Sequence, residues 1–301
     1  MDLWILATIA ATIFQTLRFM LQKQLSMGAL STGGATFARF AYSAPLLAAA
    51  LGLWLFASGA EIPEVSARFW IMGAIGGLAQ ILATVCVVAL FRARNFAVGI
   101  TFKKTEVMLS VLVGLVILGE GVSALGFAAI LVGLCGVLTL SKTPDAAGHW
   151  TQRIFTRAAA LGLGSGVLFA ISGVTYRAAT LDVGSDAPLL RAALTLSAVT
   201  MMQFSAMALW LRWREPGQVR AVWDARRKAV WIGLSSVAGS LGWFVAFTLQ
   251  TAAYVNALGQ VELIFSLLVS VLVFKEKLSL REGFGIGLLS LSVLLLVWAV
   301  A

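Results

Sequence analysis

A glutamate inside an apolar run occurs twice in this chain, and this repeat constrains the possible fold more than any other feature of the sequence. Glu106 lies in an apolar run that ends at Leu118, and Glu262 lies in a second such run 156 residues later. The same separation relates Ser110 to Ser266, Glu120 to Glu276 and Ser123 to Ser279. An ionised side chain in hydrocarbon costs about 2.5–3.5 kcal/mol on insertion scales unless it faces protein or water. The repeat therefore predicts two equivalent helices whose glutamates face the interior of a membrane protein.

The apolar character of the whole chain supports this placement in a membrane. Of its 301 residues, 60% are hydrophobic and only 12% are charged, against about 25% charged residues in an average soluble domain. About 20 apolar residues span a bilayer as a helix, so the chain has room for about ten spans. We predict them near residues 2–22, 32–57, 67–91, 97–118, 122–141, 156–180, 186–211, 228–250, 254–274 and 279–300. The expected fold class is all-α and polytopic.

The positions of the basic residues predict the orientation of these spans. Fifteen lysines and arginines fall on one side, against Arg68 and, if it is counted as loop, Arg177 on the other. An excess of positive charge marks the cytoplasmic side, so both termini are expected to face outward. Contact with anionic membrane lipid then accounts for the net charge of +9, and nucleic acid is not needed as a partner.

Few side chains are suited to catalysis or to metal binding. His149 is the only histidine and lies in a predicted connector, while Cys86 and Cys135 lie inside apolar runs, which is typical of small packing residues. No metal or cofactor is expected. A membrane enzyme remains a second hypothesis, with Glu106 and Glu262 as its only acids at membrane depth, and a passive channel is a third.

The duplication divides the chain into two repeats of five spans. Residues 1–141 form the first repeat, 142–155 a cytoplasmic connector and 156–301 the second repeat. Because five is odd, the second repeat must enter the membrane from the opposite side. Inverted repeats around a site near the midplane are typical of alternating-access transporters. Since one chain contains both halves of the cavity, a monomer is expected to suffice.

Polar and aromatic side chains within the spans are the candidates for contact with a small-molecule substrate. The predicted substrate-binding residues are Gln15, Tyr42, Gln80, Trp243, Asn256 and Gln260. Neutral amides and aromatic rings suit the carboxylate, the ammonium group and the side chain of an amino acid. Hydrogen bonding between helices is an equally good explanation for each of them.

Charged residues within the spans are candidates for structural or coupling roles. They are Arg39, Lys103, Lys104, Glu106, Arg191 and Glu262. Either the two glutamates carry protons for coupling, or basic neighbours such as Lys103, three residues before Glu106, neutralise them. We favour the second interpretation, because a paired buried carboxylate stays ionised. It predicts uniport or exchange rather than proton antiport.

Together these residues resemble the drug/metabolite transporter superfamily, specifically its bacterial ten-helix branch of EamA-like exporters. The residues that match the family pattern lie in four of the predicted spans. The second span contains Arg39-Phe40, and the seventh contains Arg191. Lys104-Thr105-Glu106 precedes the apolar run of the fourth span and Gly119-Glu120 ends it, while Lys275-Glu276-Lys277-Leu278-Ser279 follows the ninth span. The sequence departs from the family pattern at Phe274-Lys275, where Leu-Gly is common, and it lacks the frequent proline of the ninth span.

The resemblance implies a basket of ten helices in the bacterial inner membrane. The fifth and tenth helices would be peripheral, and the others would line a central cavity. The implied function is export of small metabolites, with amino acids, aromatic ones included, as the best-known cargo. A nucleoside or a sugar is the alternative cargo.

Overall fold

Helices form every secondary-structure element in the part of the chain that the structure describes. The computed structural model describes residues 2–28, 30–92, 103–121, 123–141, 157–277 and 279–298. In chain order the helices are α1 (Leu3–Ser26), α2 (Thr32–Ser58), α3 (Ala67–Phe91), α4 (Glu106–Leu118), α5 (Ala124–Ser141), α6 (Arg157–Leu181), α7 (Pro188–Arg214), α8 (Gln218–Asp224), α9 (Arg226–Leu249), α10 (Ala252–Leu258), α11 (Glu262–Leu272) and α12 (Leu280–Trp298). A 3₁₀ turn, Gly259–Val261, joins α10 to α11. Within these ranges there is no strand, so the predicted all-helical class is confirmed for them.

Six stretches of the described chain are long and apolar enough to cross a membrane. They are α1, α2, α3, α7, α9 and the segment Ala252–Leu272, which contains α10 and α11. Large apolar side chains point outward from these helices, such as Leu53 at 70% and Phe56 at 90% exposure. Contiguous exposed apolar surface of this kind marks contact with lipid. The protein is therefore a polytopic membrane protein.

Several of these helices begin close to the predicted positions, at residues that favour a helix N-terminus. Ser31 precedes α2, and its hydroxyl oxygen accepts a hydrogen bond from the Gly34 N–H at 2.9 Å. Ser66 precedes α3 and accepts from the Arg68 N–H at 3.0 Å. Both satisfy a backbone donor that has no acceptor within the helix. Pro188 is the first residue of α7, where its missing N–H costs nothing.

The ninth predicted span, 254–274, corresponds to one helical stretch, Ala252–Leu272, in which the 3₁₀ turn Gly259–Val261 interrupts the α-helix. Gly259 lies against the indole of Trp243, and a Cβ at this glycine would overlap the ring. At the break, the Gly259 carbonyl accepts a hydrogen bond from Lys104 Nζ at 2.8 Å. A 3₁₀ turn within a helix leaves backbone groups to be satisfied, and at membrane depth other protein groups must do so. The break therefore depends on partners that lie far away in the sequence.

Helices from the two halves of the chain pack against each other. α1 packs along α9 and α3 along α6, while α2 packs along α7. α4 contacts both α6 and α10. α5 and α12 pack mainly against each other. This arrangement brings α1, α3, α4, α6, α9 and α10 around one centre.

Two predicted segments lie outside the described residues. They are the connector 142–155 and the first residues of the fourth predicted span, 97–102. In the described part, α4 begins only at Glu106. The predicted connector between the seventh and eighth spans contains the short helix α8.

Candidate functional site

Four charged side chains meet in the interior of the helix bundle. Lys103, Lys104, Glu106 and Glu262 are each at most 4% exposed. Lys103 Nζ lies 3.2 Å from Glu106 Oε1 and 3.1 Å from Glu262 Oε2. Lys104 Nζ lies 2.6 Å from Glu262 Oε2 and 3.8 Å from Glu106 Oε1. We call these four residues the charge cluster; its formal charges sum to zero.

The two glutamates occupy the same position in their helices. Glu106 is the first residue of α4, and Glu262 is the first residue of α11. The repeat in the sequence thus corresponds to a repeat in local structure.

A close approach of α6 to the start of α4 shapes one side of the charge cluster. A Cβ on Gly166 would overlap Thr105 Oγ1 and would lie 3.1 Å from the backbone nitrogen of Glu106. Glycine leaves the space that Thr105 occupies. Close packing of α6 on α4 therefore requires glycine at this position.

Gln15 of α1 links the charge cluster to α9. Its Nε2 donates a hydrogen bond to Glu262 Oε2 at 3.1 Å, and its Oε1 accepts one from Trp243 Nε1 at 3.1 Å. Arg18 Nη2 donates to the same Gln15 oxygen at 3.3 Å. Arg18 is only 2% exposed. One amide side chain thus fixes both a carboxylate and an indole.

Gln80 of α3 belongs to a second polar group. Its Oε1 accepts hydrogen bonds from Tyr176 OH at 3.2 Å and from Gln203 Nε2 at 3.0 Å. Gln203 Nε2 also lies 3.0 Å from the Gly77 carbonyl oxygen, to which it donates. These bonds join α3, α6 and α7, so Gln80 has a structural role in this conformation.

A small cavity is lined by members of both polar groups. Its wall consists of Gln15, Gln80, Lys103, Glu106, Phe169, Ser172, Gly173, Tyr176, Ser240, Trp243, Phe244, Phe247 and Asn256. The rings of Trp243 and Phe247 stack with centroids 5.8 Å apart. The cavity volume is about 40 Å³, which holds a few water molecules, whereas ligand pockets measure about 300–1,000 Å³. In this conformation the cavity is therefore smaller than a pocket that holds a ligand.

Three buried polar atoms have no hydrogen-bond partner among the described residues: Arg39 Nη1, Gln260 Oε1 and Glu262 Oε1. The other nitrogens of Arg39 donate to Ser236 at 2.9 Å and to Ser240 at 3.0 Å. Ser240 lines the cavity. Leaving a buried polar atom unpaired costs about 1–3 kcal/mol, so these atoms indicate where water or a polar ligand binds.

Four of the six predicted substrate contacts line the cavity. They are Gln15, Gln80, Trp243 and Asn256. Gln260 is buried in the 3₁₀ turn and is not part of the cavity wall. Tyr42 lies beneath α8, in a different cavity, because its hydroxyl donates to the Val222 carbonyl at 3.2 Å.

The predicted charged residues lie in three places. Both lysines lie against both glutamates in the charge cluster. Arg39 bonds to the serines of α9. Arg191 donates to the carbonyls of Thr180 and Leu181, each at 2.8 Å, and so satisfies the last carbonyls of α6. Arg39 and Arg191, which resemble each other in sequence position, therefore make different contacts.

Arg18 and Gln203 are polar residues of this interior that the sequence prediction missed. Arg18 lies three residues after Gln15 and four before Gln22, and its Nη1 donates to Gln22 Oε1 at 3.0 Å. A cation inside an apolar span is itself a signal of function, and this spacing would have placed it on the polar face of α1. Gln203 is part of no comparable pattern, so only the packing of α7 on α3 reveals it.

Two ion pairs connect the halves where α4 and α11 end. Glu120, just after α4, accepts a hydrogen bond from Arg177 Nε of α6 at 2.7 Å. Glu276, just after α11, pairs with Lys23 of α1. The side chains of both pairs are between 7% and 21% exposed. Each carboxylate is thus paired with a cation from the other half.

Known proteins resemble this chain in sequence over its second half and in fold over nearly its whole length. Residues 156–298 match the model of the EamA-like transporter family. No curated protein matches the chain. A solved structure described only as "Crystal structure of protein" has a TM-score of 0.64 at 17% identity, over 96% of this chain and 95% of that one, which shows a shared fold. Residues 156–298 are therefore an EamA-like transporter family domain, which belongs to the drug/metabolite transporter superfamily.

Proposed function

We propose that this protein is a secondary transporter of the bacterial inner membrane that exports small metabolites, with amino acids, aromatic ones included, as its cargo. It works by alternating access of two inverted five-helix repeats, residues 1–141 and 156–301, which the cytoplasmic connector 142–155 joins. Ten helices span the membrane, both termini face outward, and a monomer suffices. Membership of a transporter family, rather than of an enzyme family, supports this class of function.

The charge cluster beside the cavity is the observation that carries the proposal. Charged side chains at membrane depth are costly and mark substrate or ion pathways. Here Lys103 and Glu106 line the cavity directly, and Glu262 lies behind them at the break between α10 and α11. Broken helices that present their ends to a central site are a feature of secondary transporters.

Helix packing supports the two inverted repeats. The first span of each half pairs with the third span of the other half, since α1 packs along α9 and α6 packs along α3. The second spans, α2 and α7, pair with each other, as do the fifth, α5 and α12. A two-fold relation between the halves produces this exchange of partners. It also accounts for two glutamates that begin equivalent helices.

The unpaired polar atoms favour a zwitterionic cargo. Arg39 Nη1 is a donor suited to a carboxylate, whereas Glu262 Oε1 and Gln260 Oε1 are acceptors suited to an ammonium group. All three atoms are buried outside the cavity wall in this conformation, and the proposal requires the transport cycle to expose them. The stacked rings of Trp243 and Phe247 form a wall that accepts an apolar or aromatic side chain. These groups together complement an amino acid.

The small volume of the cavity and the two end pairs support alternating access. Arg177–Glu120 and Lys23–Glu276 lie at the ends of α4 and α11 that are remote from the charge cluster. In inverted repeats these ends face opposite sides of the membrane. Breaking one pair at a time would open the cavity to one side at a time.

The balance of charges in the cluster favours uniport or exchange over proton antiport. Two lysines offset two carboxylates, so no unpaired acid remains in the cluster to carry a proton. We expect transport into liposomes to be the same with and without an imposed pH gradient. A strong dependence on the gradient that disappears in Glu106→Gln would contradict this expectation.

Counterflow tests the proposed function. Liposomes that contain the purified protein are preloaded with one unlabelled amino acid, and the entry of a labelled amino acid is followed. Saturable, trans-stimulated entry for a subset of amino acids is the expected result. A linear, unsaturable flux would indicate a channel, and covalent change of the labelled compound would indicate an enzyme. Absence of flux for every amino acid would reject this cargo and leave nucleosides and sugars to be tested.

Substitutions of two tryptophans of α9 test whether the cargo binds in the cavity beside the charge cluster. Trp243→Phe removes the N–H that donates to Gln15, and a lost hydrogen bond of about 1 kcal/mol predicts a roughly fivefold weaker apparent affinity. Trp231→Phe on the same helix changes an exposed ring outside the cavity and should leave affinity unchanged. Equal effects of the two substitutions would place the site elsewhere.

A further inference from the structure

A second and much larger cavity lies away from the charge cluster, between α2, α7 and α8. Its volume is about 1,070 Å³, at the upper end of the range of about 300–1,000 Å³ for ligand pockets. Its wall consists of Phe37, Ala41, Tyr42, Pro45, Phe204, Ala208, Arg212, Pro216, Gly217, Val219, Arg220, Val222 and Trp223. The proposed transport cycle makes no use of it.

Most of this wall is apolar, and hydrocarbon is the ligand that such a wall suits. Aromatic and aliphatic side chains of α2 and α7, among them Phe37 and Phe204, form the floor, and Trp223 of α8 lies opposite them. Pro45, also in the wall, lies on the exposed face of α2. Apolar surface of this extent in a membrane protein is stable when lipid covers it.

Arg212 and Arg220 are the only cations in the wall of this cavity. Both are exposed, and neither forms an ion pair with any residue that the structure describes. The acidic residue between them, Glu215, instead binds the hydroxyl of Ser31. Two guanidinium groups without carboxylates suit a phosphate.

The surroundings of the cavity are those of a membrane interface. Trp213, Trp223 and Trp231 are exposed at this end of the bundle, as expected of the aromatic belt where helices leave the hydrocarbon. Further exposed cations lie on the same segment: Arg214, Arg226, Arg227 and Lys228. Clusters of this kind attract anionic lipids to the membrane surface.

Hydrogen bonds fix the roof of the cavity to α2. The Ser31 N–H donates to Gln218 Oε1 at 3.0 Å, and Tyr42 OH donates to the Val222 carbonyl at 3.2 Å. α8 is therefore held at both of its ends over the cavity. The space beneath it is bounded by fixed elements and is not a gap under a loose loop.

We propose that this cavity is a binding site for an anionic phospholipid. An acyl chain occupies the apolar space between α2, α7 and α8, and Arg212 and Arg220 bind the phosphate at its rim. Because α2 forms the floor and also carries Arg39, the bound lipid contacts the same helix that reaches the transport cavity from its other side. The site is independent of the cargo.

Native mass spectrometry tests the site with matched lipids and matched variants. The protein in detergent is titrated with phosphatidylglycerol or with phosphatidylcholine of identical chains, and lipid adducts are counted on folded monomer. We expect tighter binding of phosphatidylglycerol. Arg212→Gln with Arg220→Gln should weaken it by at least about tenfold, since both lose a direct charge-assisted hydrogen bond to the phosphate. Arg214→Gln with Arg227→Gln removes the same charge outside the wall and should have a much smaller effect.

A second pair of variants tests whether the acyl chain of the lipid occupies the cavity. Ala208→Phe fills the cavity and should reduce binding of both phospholipids, whereas Ala206→Phe, on the exposed face of the same helix, should not. Equal affinity for the two lipids, or equal losses in the two arginine pairs, would overturn the phosphate assignment. Unchanged lipid binding in Ala208→Phe, or full displacement of the lipid by glycerol 3-phosphate, would show that the acyl chain does not occupy the cavity. Neither outcome would affect counterflow, so the transport proposal is tested separately.

Discussion

Helix α4 and helix α11 follow the same backbone course with different side chains. Each begins on a buried glutamate and is followed by a residue in the left-handed conformation, Gly119 with φ 70° directly after α4 and Lys275 with φ 53° three residues after α11. The next residue donates its N–H to a carbonyl six positions earlier, Glu120 to Gly114 at 3.2 Å and Glu276 to Ser270 at 3.0 Å. All these positions are 156 residues apart.

The differences between the two helices lie in what the side chains contact. Glu262 lies within 3.1 Å of Lys103, Lys104 and Gln15, whereas Glu106 has the two lysines at 3.2 and 3.8 Å. At the far ends one carboxylate binds an arginine and the other a lysine. Backbone capping therefore repeats in both halves, while the strength of the ionic contacts does not.

The largest expected effect comes from removing one glutamate at a time. Glu262→Gln leaves Lys104, fully buried, without its closest partner, and breaking a buried ion pair costs about 3–5 kcal/mol. Glu106→Gln removes the weaker set of contacts and should cost less. Chemical denaturation in detergent measures both. Equal losses of stability would show that the two glutamates are energetically equivalent despite their contacts.

The next largest effect is expected from breaking the ion pairs Arg177–Glu120 and Lys23–Glu276, and the two pairs should differ in how far their loss opens the cavity. Arg177 also donates to the carbonyls of Phe247 and Gln250 at 2.7 and 2.8 Å, so Arg177→Gln should open its end more than Lys23→Gln opens the other. A cysteine at Ser172 in the cavity wall reports access, after Cys86 and Cys135 are replaced by serine. We expect about tenfold faster labelling by an impermeant reagent, from opposite sides of the membrane in the two variants.

Arg191→Gln is the matched control for the end pairs. It removes a cation that binds only backbone carbonyls at the end of α6 and leaves both pairs intact. Its labelling rate should equal that of the parent protein. Faster labelling from the same side in both end-pair variants would contradict inverted repeats.

The smallest effect concerns the left-handed residues. A non-glycine residue in this conformation costs about 1 kcal/mol, so Lys275→Gly should raise the free energy of unfolding by about that amount and Gly119→Ala should lower it similarly. Thermal unfolding in detergent measures the shift. Lys275→Ala removes the same side chain without relieving the backbone and should gain nothing. A gain in Lys275→Ala equal to that of glycine would assign the effect to the side chain.

Sequence reasoning located the charge cluster because its residues are improbable in an apolar span. Lys103, Glu106 and Glu262 stand out one by one, and their repeat relates them. It did not locate the break at Gly259, since a 3₁₀ turn within one apolar run leaves the hydrophobic pattern unchanged. The stabilising contacts at this break, the Trp243 ring and the Lys104 ammonium, come from distant parts of the chain.

The same reasoning placed Gln80 and Tyr42 together as substrate contacts, and the structure separates them. Gln80 lines the cavity beside the charge cluster, whereas Tyr42 faces the second cavity. Both are polar groups within apolar helices, and sequence alone assigns such groups to the interior without saying to which part. The short helix α8, which provides the acceptor for Tyr42, had no signal in the sequence beyond its basic residues.

The sequence by itself determined the class of the protein, the spans as apolar runs and the pairs of positions separated by 156 residues, because hydrophobic length and charge in hydrocarbon are local costs. Tertiary structure alone decided which helix meets which. It placed Arg177 of one half on Glu120 of the other and Lys23 on Glu276, and it left a cavity of about 40 Å³ beside the charge cluster. Such contacts depend on distances between segments more than fifty residues apart or on the direction of single side chains, and no local pattern encodes either.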